Sequence, residues 1–500
     1  MKEKFEMIAK TFQGLESVLA EELTHLEAED IEIGRRMVAF KGDLRMLYKT
    51  NLCCRTALRI LKPIYKYRAT DADELYEAIK KFEWDKYLTL DQTFSIDSTV
   101  FSDEFRHSKF VTYKAKDAIV DYFNEKYGKR PSVRITNADI MINVHISGDQ
   151  VTISLDSSGE SLHKRGYRVA QTEAPINEVL AAGLILLTGW CGNSNFIDPM
   201  CGSGTFLIEA ALIGANINPG IFRSNFAFER WRDFDSELFE SIYNDDTNER
   251  DFDYKIFGSD ISPKAVNIAA QNIKHAGVGK YIDLKVCSIQ SYEEAPENAI
   301  LVTNPPYGER ISVEDMEALY ESIGERLKKI FKGYHAWILG YKNELFDKIG
   351  LKPSIKYPIL NGALECEFRE YVIFDGKYNE YRKEGGSVKN NSFSRVGNKV
   401  TRKAPFGTTF ERKSYPKDKS RFGNKTPGTK PKNALEEKYR KPFRPEKPKE
   451  SFTDNPIHGD ELAKKMVKFR QPTLSSDQER PIMRGRRNGW KKNDLPEKND

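Results

Sequence analysis

Residues 196–211 read Phe-Ile-Asp-Pro-Met-Cys-Gly-Ser-Gly-Thr-Phe-Leu-Ile-Glu-Ala-Ala, an order that suits a strand, a tight glycine loop and a helix start. Gly202 and Gly204 let the backbone approach a ligand. The unpaired N–H groups of the helix beginning near Thr205 favour a polar or anionic partner there. The dinucleotide fingerprint is incomplete, because Leu207 stands three residues after Gly204. No Gly-Lys-Ser/Thr follows as a phosphate loop requires. A nicotinamide-dependent enzyme is therefore a distant reading, and the ligand has to be identified from the rest of the chain.

A second strand, Lys255-Ile256-Phe257-Gly258-Ser259, ends in Asp260, and Ser262-Pro263 can start a helix behind it. In a doubly wound sheet an acid at that place accepts hydrogen bonds from a ribose diol. Asp260 alone could equally cap the helix; paired with the glycine loop, ribose binding is the favoured reading. A third strand, Leu301-Val302-Thr303, runs into Asn304-Pro305-Pro306-Tyr307. Two prolines remove two donors and fix φ, so the Asn304 side-chain amide and the carbonyls beside it are offered outward. Two acceptors converging next to an aromatic plate suit an exocyclic amino group: accepting both hydrogens draws the nitrogen out of conjugation and aims its lone pair, while Tyr307 stacks on the base.

Asp-Pro-Met-Cys-Gly-Ser-Gly-Thr together with Asn-Pro-Pro-Tyr resembles the class I S-adenosylmethionine-dependent amino methyltransferases. Leu162-His163-Lys164-Arg165-Gly166-Tyr167-Arg168, Asn361-Gly362-Ala363-Leu364-Glu365-Cys366 and Gly14-Leu15-Glu16 narrow the resemblance. It is to the THUMP-domain RNA guanine-N2 methyltransferases, including the methyltransferase half of bifunctional 23S rRNA enzymes, and it covers residues 1 to about 383. The resemblance implies an α/β architecture. A ferredoxin-like region (1–44) and a THUMP RNA-binding domain (45–156) would precede a Rossmann-like, seven-stranded methyltransferase domain (157–384). Its cofactor would be S-adenosylmethionine and its substrate a guanosine N2 in 23S rRNA or a ribosomal precursor. Guanosine in tRNA is the alternative substrate, and a noncatalytic RNA-binding assembly factor the alternative role. No membrane or DNA partner is expected, and a monomer is the default.

On the same resemblance Asp198, Pro199, Cys201, Gly202, Gly204 and Thr205 would shape the methionine end of the cofactor pocket. Asp260 and Ile261 would meet the ribose side, and Asn304, Pro305, Pro306 and Tyr307 would orient the base. Asn177 and Ser288 stand where family members often carry a basic and an acidic residue; the acid usually holds the adenine amino group.

Basic and aromatic residues interleave at 105–116, where Arg106, Lys109 and Lys114 lie among Phe105, Phe110 and Tyr113. They are candidates for RNA contact, as are Lys164, Arg165 and Arg168 around Gly166. The competing reading is a solvated helix face for the first group and a plain charge run for the second. Alternating and helical periods further predict strands at 5–10, 33–40, 55–67, 93–100, 140–145 and 150–156. Helices fall near 44–50, 72–82 and 110–127.

Charge is distributed unevenly. Residues 385–500 hold 30 Lys and Arg against 14 Asp and Glu, a net of +16, leaving the first 384 at −11. That tail carries 11 of the 22 prolines and few periodic apolar positions, so a disordered basic extension that tethers RNA, or merely solubilises, is expected. Six cysteines without a C-x-x-C pair indicate neither a zinc site nor a disulfide framework. An N-terminus that carries acidic residues and no apolar h-region, and the lack of a long apolar run, suit a soluble, cytoplasmic protein.

Overall fold

The computed structural model describes residues 3–306, 313–341 and 343–374; Tyr307 and the tail lie outside them. The N-terminal half contains β1 (Phe5–Lys10), α1 (Glu16–His25), β2 (Glu29–Gly34), β3 (Met37–Gly42), α2 (Leu44–Cys53) and β4 (Arg59–Arg68). It continues with α3 (Ala72–Lys81), β5 (Thr93–Phe101), α4 (Ser108–Tyr127), β6 (Ser132–Val133), β7 (Ile140–Ser147) and β8 (Gln150–Asp156). These strands form one sheet in the order β2-β3-β1-β4-β8-β7-β5-β6. Strand β4 is its seam: Arg59–Leu61 pair with β1, and Leu61–Arg68 pair with β8.

The expected single strand at 33–40 is instead a hairpin, β2 to β3, closing where Gly34 pairs with Met37. Arg36 takes φ 57 in that turn. The usual Asn-Gly or Asp-Gly signal is absent there, so the turn did not announce itself.

The C-terminal half comprises α5 (Glu178–Leu187), β9 (Asn195–Asp198), α6 (Thr205–Gly214), α7 (Ser236–Tyr243), β10 (Ile256–Asp260), α8 (Pro263–His275), β11 (Ile282–Val286) and β12 (Ala299–Thr303). After these come α9 (Val313–Lys329), β13 (His335–Tyr341), α10 (Asn343–Lys348), β14 (Ile355–Asn361) and β15 (Leu364–Val372). Its seven strands lie in the order β11-β10-β9-β12-β13-β15-β14. The first five are parallel, and β15 runs antiparallel to β13 and β14. This is the expected seven-stranded Rossmann-like sheet. All ten residues of α6 are buried, as an apolar-all-round helix must be.

Strand order reverses between β9 and β12, and the carboxyl ends of strands at such a switch point open a crevice that loops cannot fill. Asp198 ends β9 and Asn304 follows β12, so topology alone brings the glycine loop and Asn-Pro-Pro together. The two halves also exchange core residues. Leu15 and Val18 of α1 belong to the core around α5 and α6, whereas Phe226, Phe228, Trp231, Phe239 and Ile242 fill the core under the first sheet. No helix of the described residues is long and apolar enough to cross a membrane.

Candidate active site

The glycine loop is held from three sides. Cys201 N donates to Ser259 O at 2.8 Å and Gly204 N to Cys201 O at 2.8 Å. Gly202 N donates to Asp260 Oδ2 at 3.0 Å. The buried Asn272 of α8 satisfies its whole amide, accepting from Val169 N and Ala170 N and donating to Ala170 O and Ser203 O. Thr172 N donates to Ser203 Oγ at 2.9 Å. A loop fixed this way is preorganised for a ligand.

The two glycines have different duties. A Cβ on Gly202 (φ +53) would meet only Thr172 Oγ1, at 4.0 Å. Gly204 (φ +79) is the N-cap of α6, and a Cβ there would sit 3.0 Å from the Ala269 Cβ of α8. Helix packing and a left-handed backbone by themselves call for glycine at 204.

A cavity of about 930 Å³ opens over this loop, and its walls include Asp198, Pro199, Cys201, Gly202, Thr205, Asp260, Ile261, Asn304, Pro305 and Pro306. That volume is at the upper end of small-ligand sites, about 300–1,000 Å³. Sequence reasoning missed several other wall residues: Thr172 to Ile176, Gln290, and Asp315 and Leu319 of α9. They carry no local signal of a site. Asn361 and Leu364, at the β14–β15 turn, also line it; they were noticed only as part of a motif.

Asp260 uses both oxygens on backbone, accepting from Gly202 N and from Ser262 N at 2.9 Å. The capping and ligand-facing readings are therefore combined, because the half-buried carboxylate still lines the cavity and keeps spare lone pairs. Ser288 and Gln290 share the neighbouring wall. Ser288 Oγ donates to Gln290 Oε1 at 3.0 Å, so a side-chain amide stands beside the position where an acid is usual.

Asp198 is only 1% exposed, and its Oδ1 accepts from Thr303 Oγ1 at 2.7 Å and Met200 N at 3.1 Å. It ties the end of β9 to the end of β12. Burial, with a smaller push from the Asp260 charge, raises its pKa from the ordinary 3.8 to about 7. Because the folded value lies above the unfolded one, the stability this group contributes is complete below about pH 3.8 and is lost as pH rises through about 7, at up to about 1.4 kcal/mol per pH unit. An Asp198→Asn variant keeps the Oδ1 acceptor and should lose less stability between pH 5 and pH 8 than the parent; parallel urea midpoints across that range would contradict this. Burial also pushes the Cys201 thiol far up, so no thiolate nucleophile is available at neutral pH.

Asn304 Oδ1 is shut off from solvent and has no hydrogen-bond partner among the described residues. A buried carbonyl oxygen without a donor costs about 1–3 kcal/mol, and the residue that carries it lines the cavity. The site fits a ligand that brings an N–H to that oxygen.

The proposed RNA contacts divide. Arg106 and Lys109 are exposed, while Lys114 is ion-paired with Asp73 at 3.4 Å. Lys164 is exposed and paired with Glu160. Arg165 is 2% exposed: it donates to Leu162 O, to Arg55 O and to Glu209. Arg168 donates to Glu178 at 2.7 Å, to Ile176 O and to Thr205 Oγ1 at 3.0 Å. Arg165 is thus not at the surface, and Arg168 is largely spent on internal partners. They bolt the connector to α5 and to the first residue of α6, because each found a buried carboxylate that a linear charge run does not reveal.

Three family models match the chain: an RlmL ferredoxin-like domain over residues 6–61, a THUMP domain over 69–156, and an RMKL-like methyltransferase domain over 165–370. The Synechocystis protein slr0064, named provisionally as an RNA methyltransferase, is 38% identical over 73% of this chain and 96% of its own length. The ribosomal RNA large subunit methyltransferase K/L of Syntrophotalea carbinolica is 36% identical over 73% of this chain. The chain spans about half the length of that relative, 53%. The solved structure of SMU.472, named provisionally as a methyltransferase and complexed with SAH, superposes with a TM-score of 0.67 at 32% identity over 75% of this chain and 100% of that one.

Proposed function

The chain belongs to the RMKL-like family of THUMP-bearing RNA methyltransferases, and from that premise we propose that it methylates the exocyclic N2 of a guanosine in 23S rRNA. The cofactor, S-adenosylmethionine, supplies an electrophilic methyl group when bound. Asp260 and Ile261 would hold its ribose side, with Ser288 and Gln290 beside the adenine; the loop from Asp198 to Gly202 would bind the methionine end.

The observation that carries the reading is Asn304, a residue of the cavity wall whose Oδ1 has no partner among the described residues. An amino group donating one hydrogen to this oxygen and the other to the Pro305 carbonyl has its lone pair turned out of the ring plane. In-line attack then needs little more than placement. No strong base is needed, since the amine sheds its proton during or after attack. An orphan acceptor fits any base amino group; the choice of guanine in large-subunit RNA rests on the motif resemblance and on the names of the K/L relatives.

Mass spectrometry of nucleosides from rRNA and tRNA, with and without the gene, tests the proposal. Loss of N2-methylguanosine from 23S rRNA is the expected result. Loss from tRNA alone, or loss of a different methylated base, would overturn it.

A further inference from the structure

A second cavity, about 1190 Å³, adjoins the first and shares Pro175, Ile176 and Asn361 with it. Four stretches distant in sequence meet there. Ile135 to Asn137 come from the N-terminal half, Gly159 to Arg168 from the connector, Arg223 to Arg230 from the segment before α7, and Asn361-Gly362 from the β14–β15 turn. The connector passes so close to the third of these that a Cβ on Gly166 (φ +108) would lie 2.1 Å from Phe222 O.

The walls hold six cationic side chains, Arg59, Lys164, Arg165, Arg168, Arg223 and Arg230, against two acidic ones, Glu160 and Glu178. Arg165 and Arg168 are internally paired, as is Arg59 with Asp156. Arg223 is different: its guanidinium donates to the carbonyls of Ser158, Glu160, Ser161 and Lys164. Four carbonyl dipoles hold it in place without cancelling its charge. Arg230 is fixed likewise, on Ala138 O at 2.9 Å, with Asp139 no nearer than 4.0 Å. Beside these cations Ile135 stands 90% exposed, an apolar surface on a wall otherwise polar and basic.

We propose that this cleft seats a short single-stranded stretch of the RNA substrate, the nucleotides flanking the target base, with phosphates toward Lys164 and Arg230, the charge of Arg223 behind them, and a base or ribose against Ile135. The inference rests on the RNA methyltransferase reading above and extends it to the form of the RNA. A base inside a helix cannot reach a buried oxygen such as Asn304 Oδ1, so the target must be unpaired or extruded. Its neighbours must then leave the cofactor cavity by a continuous path, and the shared wall at Pro175, Ile176 and Asn361 provides one. The deep, narrow major groove of duplex RNA offers no equivalent fit.

Photocrosslinking of the full-length protein to a single-stranded RNA containing 4-thiouridine tests this without depending on methylation. Crosslinks should map to Ile135–Asn137 and to Ser224 and Asn225, and should fall about tenfold in an Ile135→Glu/Lys164→Glu double variant. Both positions are exposed, so the fold and S-adenosylmethionine binding should be retained. Crosslinks found only on α4 or beyond residue 374, or undiminished in the double variant, would overturn the cleft assignment. The nucleoside analysis above decides the methyltransferase reading separately, so the two can fail independently.

Discussion

Asn304→Ala is expected to slow methyl transfer about 10²–10³-fold, the size of effect seen when one preorganised polar contact to the reacting group is removed, while changing S-adenosylmethionine affinity by less than about threefold. The Oδ1 atom is buried and without a partner among the described residues, so alanine removes an acceptor that none of them is using. The fold should therefore tolerate the change and even gain slightly, because an unsatisfied oxygen disappears. The split between rate and cofactor binding is the diagnostic. Loss of both together would move Asn304 into the cofactor-binding wall; unchanged single-turnover rates would remove it from the reaction. Asn304→Asp, which keeps an acceptor oxygen at the same reach, should recover part of the rate.

That Asn304 and the glycine loop are legible in the sequence has a physical reason. Asn-Pro-Pro limits its own backbone through two prolines, and Asp198-to-Thr205 limits its own through glycine; such constraints act over neighbouring residues and leave a mark in the sequence. Strands β5, β7 and β8 were legible from their own alternation. Where the constraint comes from a residue far along the chain, the sequence is mute. Gly204 looked like a ligand-facing glycine, yet its neighbour is Ala269, brought there by α8. The stretch from Thr172 to Ile176 lines the cofactor cavity only because Ser203 and Asn272 hold it there. Phe226, Phe228, Trp231 and Phe239 belong to the core of the opposite half, which periodicity could not disclose.

Arg165 shows the same limit in a form that can be measured. Read as part of Lys164-Arg165-Gly166-Tyr167-Arg168, it is one more cation for a phosphate. In the fold it is 2% exposed beside Glu209, which is 0% exposed, and Tyr167 donates to the same carboxylate oxygen at 2.9 Å. Burial drives the Glu209 carboxyl upward in pKa, and Arg165 is the largest influence opposing that shift. Arg165→Met should therefore cost about 3–5 kcal/mol, the usual result of leaving one member of a buried pair uncompensated. The loss should appear as a lower urea midpoint, with RNA affinity of the folded protein unaltered. Adding Glu209→Gln keeps an acceptor for Tyr167 and removes the stranded charge, so the double variant should regain much of the loss. The cycle of four proteins then isolates a coupling energy. If the single variant keeps its midpoint and loses RNA affinity instead, Arg165 is an RNA contact after all and the buried pair is not what holds the connector to α6.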